Sequence, residues 1–147
     1  NWGADGTLAQ ILYQPAGGTQ RPASAETVAE NAHVVHMDGG AVFRQAVRAM
    51  STSSKQALEA ASLTPADVDL MIPHQANIRI IEATRTRVGV PLERTFNTVS
   101  RYGNVSAATI PMALHEARKA GKLSAGDHVL LTSFGTGLTW ASTVLRW

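Results

Sequence analysis

Residues 68–77, Val-Asp-Leu-Met-Ile-Pro-His-Gln-Ala-Asn, form the segment that decides the fold class. Val68–Ile72 is a short apolar run of the kind that forms a strand buried on both faces. Pro73 is expected to end this strand, and a helix is predicted from Asn77 to about Val88, where Gly89 stops it. A buried strand that leads through a polar turn into a helix favours a layered α/β domain.

The sequence before this segment is dominated by a longer helix. Apolar residues at three- and four-residue spacing predict a helix from Ala41 to about Ala61. Leu8–Tyr13 and His33–Met37 are strand candidates, and the Pro-, Gly- and Ser-rich stretch Pro15–Ala25 between them is expected to be a loop. Thr64–Asp67 has the Thr cap, early Pro and acidic residue of a helix start, and we expect it to form a single turn.

The sequence after the segment adds three more elements. Arg94–Val99 is a further strand candidate. A helix of small residues is predicted for Asn104–Ala120, in which Pro111 should kink the helix or confine its hydrogen bonds to either side. His128–Ser133 and Leu138–Leu145 are predicted to be strands. Because only a tight Gly-rich link joins these two, they should be antiparallel, and the sheet is therefore predicted to be mixed.

Composition narrows the classes of function. The chain has 147 residues, of which 44% are hydrophobic and 16% charged, which is typical of a globular domain. A formal net charge of +2 does not argue for nucleic acid, and the apolar runs are too short to cross a bilayer. The absence of cysteine excludes disulfides and cysteine-based metal sites and permits a cytoplasmic location. No signal pattern is visible, and the histidines show no metal-ligand spacing, so no metal is expected.

Two polar residues lie where catalytic groups are often found. His74 follows the predicted buried strand, and sites in α/β sheets are usually built at strand ends. A neutral imidazole there can donate a hydrogen bond to a substrate carbonyl. Alternatively, His74 or Asn77 only caps the next helix. Asn104 could likewise be a cap, although the small residues after it would let another element approach closely.

Two further features carry possible ligand contacts. Phe134-Gly135-Thr136-Gly137 links the last two strands, and its glycines could let backbone N–H groups approach a ligand. An ordinary turn explains the same pattern, and a dinucleotide site is excluded because no helix follows. Arg44 and Arg79 lie near predicted helix starts and could meet an acidic partner, whereas solvated helix faces explain most of the other arginines.

Four motifs in order carry a resemblance to a known family. They are Met37–Phe43 (MDGGAVF), Pro73–Ile80 (PHQANIRI), Tyr102–Ala108 (YGNVSAA) and Phe134–Trp140 (FGTGLTW). Together they resemble the C-terminal half of β-ketoacyl-acyl carrier protein synthase III, a thiolase-fold condensing enzyme. The resemblance extends from about Leu8 to Trp147.

This resemblance implies a fold and an activity. The family fold has two similar α/β halves, each a five-stranded mixed sheet flanked by helices, and residues 1–147 would correspond to the second half. The nucleophilic cysteine would lie in the absent first half, so this chain alone should not complete the reaction. The implied enzyme is a cytoplasmic, homodimeric acyltransferase of fatty acid biosynthesis. It needs no cofactor, and its substrates are thioesters of CoA and acyl carrier protein.

The resemblance also implies roles for individual residues. His74 and Asn104 would complete a Cys-His-Asn triad and donate hydrogen bonds to the enolate oxygen formed when a malonyl thioester loses carbon dioxide. Thr136 would supply a backbone N–H to the second oxyanion, with Phe134 beside the substrate. Asn77 would hold Asn104 or the pantetheine arm.

Contacts with the carrier protein follow from the same resemblance. Arg44 and Arg79 match basic positions that would receive the acidic acyl carrier protein. Two departures from the family pattern stand out, because Thr136 and Gly40 occupy places where Gly and Asn are expected. The first puts the acyl preference in doubt, and the second removes a possible contact to the pantetheine arm.

Three functions remain open from the sequence alone. The first is a half-site that needs a cysteine-bearing N-terminal half. The second is a related acyltransferase of secondary metabolism that uses the same His–Asn pair without decarboxylation. The third is a non-catalytic domain that binds carrier protein or CoA, against which the intact pair of His74 and Asn104 argues.

Overall fold

The computed structural model describes residues 1–147. Six strands occur, namely β1 (Trp2–Ala4), β2 (Leu12–Tyr13), β3 (His36–Met37), β4 (Leu70–Pro73), β5 (His128–Gly135) and β6 (Thr139–Arg146). Five α-helices occur, namely α1 (Ala25–Ala29), α2 (Gly39–Ala60), α3 (Ile78–Val88), α4 (Val99–Tyr102) and α5 (Thr109–Lys119). Short 3-10 turns cover Gly6–Ile11, Pro65–Asp67, Leu92–Arg94, Ser106–Ala108 and Thr136–Leu138.

The main sheet is mixed, as predicted. Its strand order is β1-β6-β5-β4, and a separate two-stranded sheet pairs β2 with β3. β4 and β5 run parallel with Ile72 opposite Leu131, whereas β5 and β6 are antiparallel along their whole length. The α/β class is confirmed, and so is the antiparallel pairing predicted for the last two strands.

The main sheet has four strands where the resemblance implied five. At the place of a fifth strand, Thr95 makes only an isolated parallel bridge to Met71, and the N–H of Phe96 donates to the carbonyl of Met71 at 2.9 Å. The prediction of a strand over Arg94–Val99 is therefore wrong beyond this bridge. The backbone curls into the 3-10 turn Leu92–Arg94 on one side and into α4 on the other, which leaves no room for a ladder.

Helices cover both faces of the sheet. Leu70 and Ile72 of β4 pack with Ala113 and Ala117 of α5 in one core cluster. Met71 points to the opposite face and joins a cluster built from α2, α3 and β5. Alternate residues of one strand therefore contact different helical layers, which explains why this strand carries apolar residues without interruption.

The two long predicted helices are confirmed. α2 begins two residues before the predicted start, because the Asp38 carboxylate accepts a hydrogen bond from the N–H of Ala41 at 2.9 Å. α3 ends at Gly89, whose φ of 99° is the left-handed conformation that glycine adopts without a Cβ penalty. Correct caps at these ends give both helices defined boundaries.

A buried hydroxyl cluster locks α2 to the sheet. The Ser142 hydroxyl of β6 lies 2.6 Å from that of Ser53 and donates to Thr132 of β5 at 2.8 Å. Thr132 in turn donates to the Met50 carbonyl at 3.4 Å. Because each hydroxyl has a partner, these polar groups are buried without an orphaned donor and fix the register of α2 over β5 and β6.

In the N-terminal region, the loop predicted for Pro15–Ala25 is confirmed up to Ser24, whereas the strand predictions are mostly wrong. Only residues 12–13 of the strand predicted for Leu8–Tyr13 are extended, because residues 6–11 form a 3-10 turn capped by Asp5, which accepts from the N–H of Thr7 at 3.1 Å. Of His33–Met37, only residues 36–37 form a strand. β1 and α1 were not predicted.

One of two prolines behaves as expected. Pro73 is the last residue of β4, opposite Thr132, so the strand ends there as predicted, although it begins at Leu70 rather than Val68. The helix predicted for Asn104–Ala120 is divided into the 3-10 turn Ser106–Ala108 and α5. Pro111 lies in the first turn of α5, where its missing N–H would have no intrahelical partner, so it does not kink the helix. No helix in the structure combines the length and apolar character needed to cross a membrane.

Candidate active site

One cleft of about 970 Å³ brings all the candidate residues together. It lies between the start of α2, the loop after β4, the turn before α5 and the end of β5. Its lining includes the seven residues singled out in the sequence, which are His74, Asn104, Thr136, Asn77, Phe134, Arg44 and Arg79. Residues far apart in sequence are therefore neighbours around one space.

The backbone and the ring of His74 are both held. The N–H of His74 donates to the carbonyl of Thr132 at 2.8 Å, which extends the pairing of β4 with β5 by one residue. On the ring, Nδ1 lies 2.6 Å from the hydroxyl oxygen of Thr109. Burial lowers the pKa of His74 from its ordinary value of 6.5, because desolvation penalises the charged ring. The imidazole is therefore neutral at neutral pH.

The side chain of Asn104 is oriented by its own turn. Its Oδ1 accepts a hydrogen bond from the N–H of Ser106 at 2.9 Å, an arrangement that fixes which end of the amide is the oxygen. The amide nitrogen makes no hydrogen bond within the chain and stays free to donate into the cleft. The cap interpretation of Asn104 is wrong, because Val105 and Ala108 are the capping residues of the 3-10 turn and of α5. The oxygen of Asn104 closes a local turn instead, which leaves two N–H bonds for a ligand.

Gln75 joins the histidine loop to the asparagine loop. Its side chain is fully buried, and its Nε2 donates to the carbonyl of Pro73 at 2.6 Å. Its Oε1 accepts from the N–H groups of Thr98 and Val99, at 2.7 and 3.2 Å. These are N-terminal groups of α4, which leads directly into Asn104, so one amide sets the position of both loops.

Asn77 caps α3, as the alternative interpretation expected. Its Oδ1 accepts from the N–H of Arg79 at 2.9 Å, and it makes no hydrogen bond to Asn104. The side chain is exposed on the cleft wall. The implied contact with the pantetheine arm stays a prediction for Asn77, which makes no hydrogen bond to Asn104 in this chain.

The Gly-rich link closes one end of the cleft. Phe134 is 7% exposed and packs with Val42, Met50 and Leu138 in a core cluster while its surface also lines the cleft. Thr136 follows β5 and is exposed at the start of the 3-10 turn. Packing of Phe134 thus anchors the turn that presents the backbone of Thr136.

The two arginines lie on the rim with their charges unpaired. Arg44 and Arg79 are both exposed and take part in none of the three ion pairs of the chain. The guanidinium of Arg79 lies 5.8 Å from the centre of the Phe43 ring, which keeps it beside the cleft mouth. No group of three or more His, Asp or Glu side chains is close enough to hold a metal ion.

Comparison with known proteins adds a second line of evidence. Residues 58–147 match the family described as 3-oxoacyl-[acyl-carrier-protein] synthase III, C terminal. The chain belongs to this synthase III family. It is 54% identical over 145 residues to the β-ketoacyl-[acyl-carrier-protein] synthase III of Roseiflexus castenholzii, which covers 99% of this chain and 44% of the relative. The chain thus spans less than half the length of the curated relatives it matches.

Two solved structures of condensing enzymes have the same fold. The Thermus thermophilus enzyme is 48% identical with a TM-score of 0.85, over 100% of this chain and 44% of that one. The priming β-ketosynthase of the R1128 polyketide pathway is 32% identical with a TM-score of 0.83, over 99% of this chain and 43% of that one. The thiolase-like half predicted from the motifs is confirmed.

Two residues of this synthase III chain escaped the sequence analysis. Gln75 lies inside the histidine motif, and a glutamine two residues after a buried strand was the available signal. Thr109 gave no signal, because only the fold brings it from the start of α5 to the ring of His74. Both act on the candidate site from positions with no more than 1% exposure.

Proposed function

We propose that this chain supplies the histidine and asparagine of a Cys-His-Asn acyltransferase centre. The intact enzyme would carry the nucleophilic cysteine in an N-terminal half and condense an acyl group from acyl-CoA with malonyl-acyl carrier protein. The observation that carries the proposal is the cleft itself. Both the half-buried His74 and Asn104, whose amide nitrogen is free, line this cleft.

The first step would be acyl transfer. The cysteine thiolate attacks the carbonyl carbon of acyl-CoA, the carbon–sulfur bond to CoA breaks, and CoA leaves as a thiolate that takes up a proton from solvent. A tetrahedral oxyanion forms on the way. The backbone N–H of Thr136 is proposed to donate to this oxygen, since the residue lies exposed on the cleft at the end of β5.

Decarboxylation would follow on the malonyl thioester. Its carbon–carbon bond to the carboxylate breaks, carbon dioxide leaves, and negative charge collects on the thioester oxygen as an enolate. Donors at Nε2 of His74 and Nδ2 of Asn104 would interact most strongly when this charge is greatest, which lowers the barrier. The enolate carbon then attacks the acyl-cysteine, and the cysteine thiolate leaves.

The substrates would enter past the two arginines. Arg44 and Arg79 project unpaired positive charge at the cleft mouth, which suits an acidic carrier protein and the phosphates of CoA. Gly40 also lines this mouth, and a Cβ built on it would only reach ordinary contact, 3.5 Å, with Arg44. Gly40 therefore leaves extra width for the pantetheine arm.

The same chemistry in secondary metabolism is a second candidate. The likeness to a priming β-ketosynthase of a polyketide pathway favours it. The intact enzyme is proposed to be a cytoplasmic homodimer with no metal or organic cofactor. Light scattering on the intact protein would give its mass, and a monomer would contradict this part of the proposal.

The main test follows each step in the intact enzyme. Mass spectrometry after incubation with acyl-CoA should find one acyl group on a cysteine outside this chain. Decarboxylation of malonyl-acyl carrier protein is then compared among the wild type, His74→Ala and Asn104→Ala. Each variant should lose on the order of 10²–10³ in kcat, the scale of removing one oxyanion donor.

A matched control is available in the same chain. His128→Ala removes an imidazole at the opposite end of β5, and its kcat should equal that of the wild type. If His74→Ala and Asn104→Ala decarboxylate like this control, the catalytic roles are wrong. Carrier-protein binding without any acyl transfer would instead support the non-catalytic alternative.

A further inference from the structure

We infer that Thr109 holds His74 in the tautomer with the proton on Nδ1, so that Nε2 carries a lone pair. When Nδ1 releases its proton to solvent and Nε2 takes one up, the Thr109 hydroxyl turns to donate to Nδ1, and Nε2 becomes a donor. Thr109 is on this view a positioning residue that sets which role His74 can play. The catalytic role of Thr109 rests on the proposed function, whereas the inferred tautomer of His74 does not depend on it.

The inference starts from two short contacts of one hydroxyl. Thr109 is 1% exposed, and its Oγ1 lies 2.6 Å from Nδ1 of His74 and 3.0 Å from the carbonyl oxygen of Ser106. A hydroxyl has one proton to donate, and a carbonyl can only accept. When the hydroxyl donates to Ser106, it must accept from His74, which places the ring proton on Nδ1.

The charge state of the ring restricts it to one proton, so Nδ1 and Nε2 cannot both donate. Burial lowers the pKa of His74, so the ring carries one proton rather than two at neutral pH. With that proton on Nδ1, Nε2 has none. His74 is then poised to accept a proton from a thiol before it is able to donate to an oxyanion.

The second arrangement is accessible without orphaning a polar group. The carbonyl of Ser106 also accepts the backbone N–H of Thr109, so it keeps a partner when the hydroxyl turns away. The hydroxyl then donates to Nδ1, and the single ring proton lies on Nε2. Because both arrangements satisfy every buried group at this point, a ligand oxygen in the cleft can select the second by accepting from Nε2.

The same contacts link the ring to Asn104. Ser106 donates its N–H to Oδ1 of Asn104 and accepts the Thr109 hydroxyl at its carbonyl. One residue therefore connects both candidate donors. Loss of the Thr109 hydroxyl should disturb the ring directly and the asparagine turn only through this link.

The experiment measures the tautomer and the rate separately. In the intact enzyme labelled with ¹⁵N-histidine, the His74 signals are identified by their absence from His74→Gln. The ligand-free wild type should show a protonated Nδ1 and an unprotonated Nε2. Addition of a malonyl thioester analogue that cannot lose carbon dioxide should move the proton to Nε2.

Two variants of Thr109 give matched comparisons. Thr109→Ser keeps the hydroxyl and should keep the wild-type signals and rate. Thr109→Val keeps the shape but not the hydroxyl, so the ligand-free ring should lose its preference for Nδ1. Its kcat for condensation should fall roughly tenfold to hundredfold, the scale of removing outer partners that orient metal-bound histidines.

Specific outcomes overturn the inference. A ligand-free wild type with the proton on Nε2 would refute it, even where Thr109→Val does not fold. Unchanged signals in Thr109→Val would refute it as well. A wild type with the expected Nδ1 proton but no acyl transfer would instead leave Thr109 as inferred and reject the proposed function.

Discussion

Replacing Gln75 by Met should loosen the connection between the two loops of the cleft. Methionine has a similar length and no amide, so the change keeps most of the volume and removes the hydrogen bonds. The N–H of Thr98 and the carbonyl of Pro73 lose their Gln75 partners, and both residues are buried. The N–H of Val99 loses its longer bond as well.

The size of the effect can be worked from these contacts. A buried polar group left without a partner costs about 1–3 kcal/mol, so two such groups cost roughly 2–6 kcal/mol. Because the loop lies near the cleft and can shift to admit water, the lower end applies. About 2 kcal/mol corresponds to roughly a thirtyfold change in a local opening equilibrium.

Amide hydrogen exchange on the intact enzyme measures this locally. The N–H groups of Thr98 and Val99 should exchange about thirty times faster in Gln75→Met, while those inside α2 change little. Gln20→Met is the control, because Gln20 is exposed and its side chain makes no hydrogen bond. Unchanged exchange at Thr98 would refute the view that Gln75 joins the loops.

Three further predictions concern stability. Ser142→Ala should lower the free energy of unfolding by about 1–2 kcal/mol through lost buried hydrogen bonds, and an unchanged denaturation midpoint would argue against the hydroxyl cluster. Gly89→Ala should lower the free energy of unfolding by about 1–2 kcal/mol, because alanine is strained at a φ of 99°. The nearest atom to the new Cβ is 3.6 Å away, so no clash adds to this conformational cost. An unchanged melting temperature would contradict the prediction. Because burial lowers the pKa of His74 below 6.5, the unfolded chain takes up a proton there first. Stability should therefore decline as the pH drops below 6.5, and equal declines in wild type and His74→Gln would exclude this cause.

The central part of the fold was predictable because its signals are local. The short apolar run before Pro73 favours a buried strand, and β5 and β6 follow from a tight Gly-rich link. α2 and α3 have clear periodicity, and Gly89 marks where the second of them ends. Each of these elements is specified by residues within its own length.

The N-terminal elements were not predictable, because they depend on contacts with distant parts of the chain. β1 is three residues long and starts with Trp2, which is 84% exposed, and only pairing with β6 makes it a strand. β2 and β3 contain two residues each and depend on one another. In Leu8–Tyr13, the cap at Asp5 outweighs the apolar pattern and starts a 3-10 turn.

In the candidate site, residues in local motifs were predictable, and residues that act through distant contacts were not. His74 and Asn104 could be named because they stand in distinctive motifs, and the fold places both on one cleft; their catalytic roles stay predictions. The groups that hold them could not be assigned, because Gln75 and Thr109 act across long stretches of chain. Hydrogen bonds such as Gln75 to Thr98 exist only once β4 and α4 are packed together.

The single bridge between Met71 and Thr95 has a consequence for aggregation. β4 is an apolar strand at the edge of the main sheet, and such an edge can recruit a strand from another molecule. Residues 90–98 cover it with little regular pairing, and Gln75 fastens the far end of this cover. A substitution that releases residues 90–98 should therefore loosen the cleft and also expose the unpaired edge of β4. Loss of activity and self-association would then have the same structural cause.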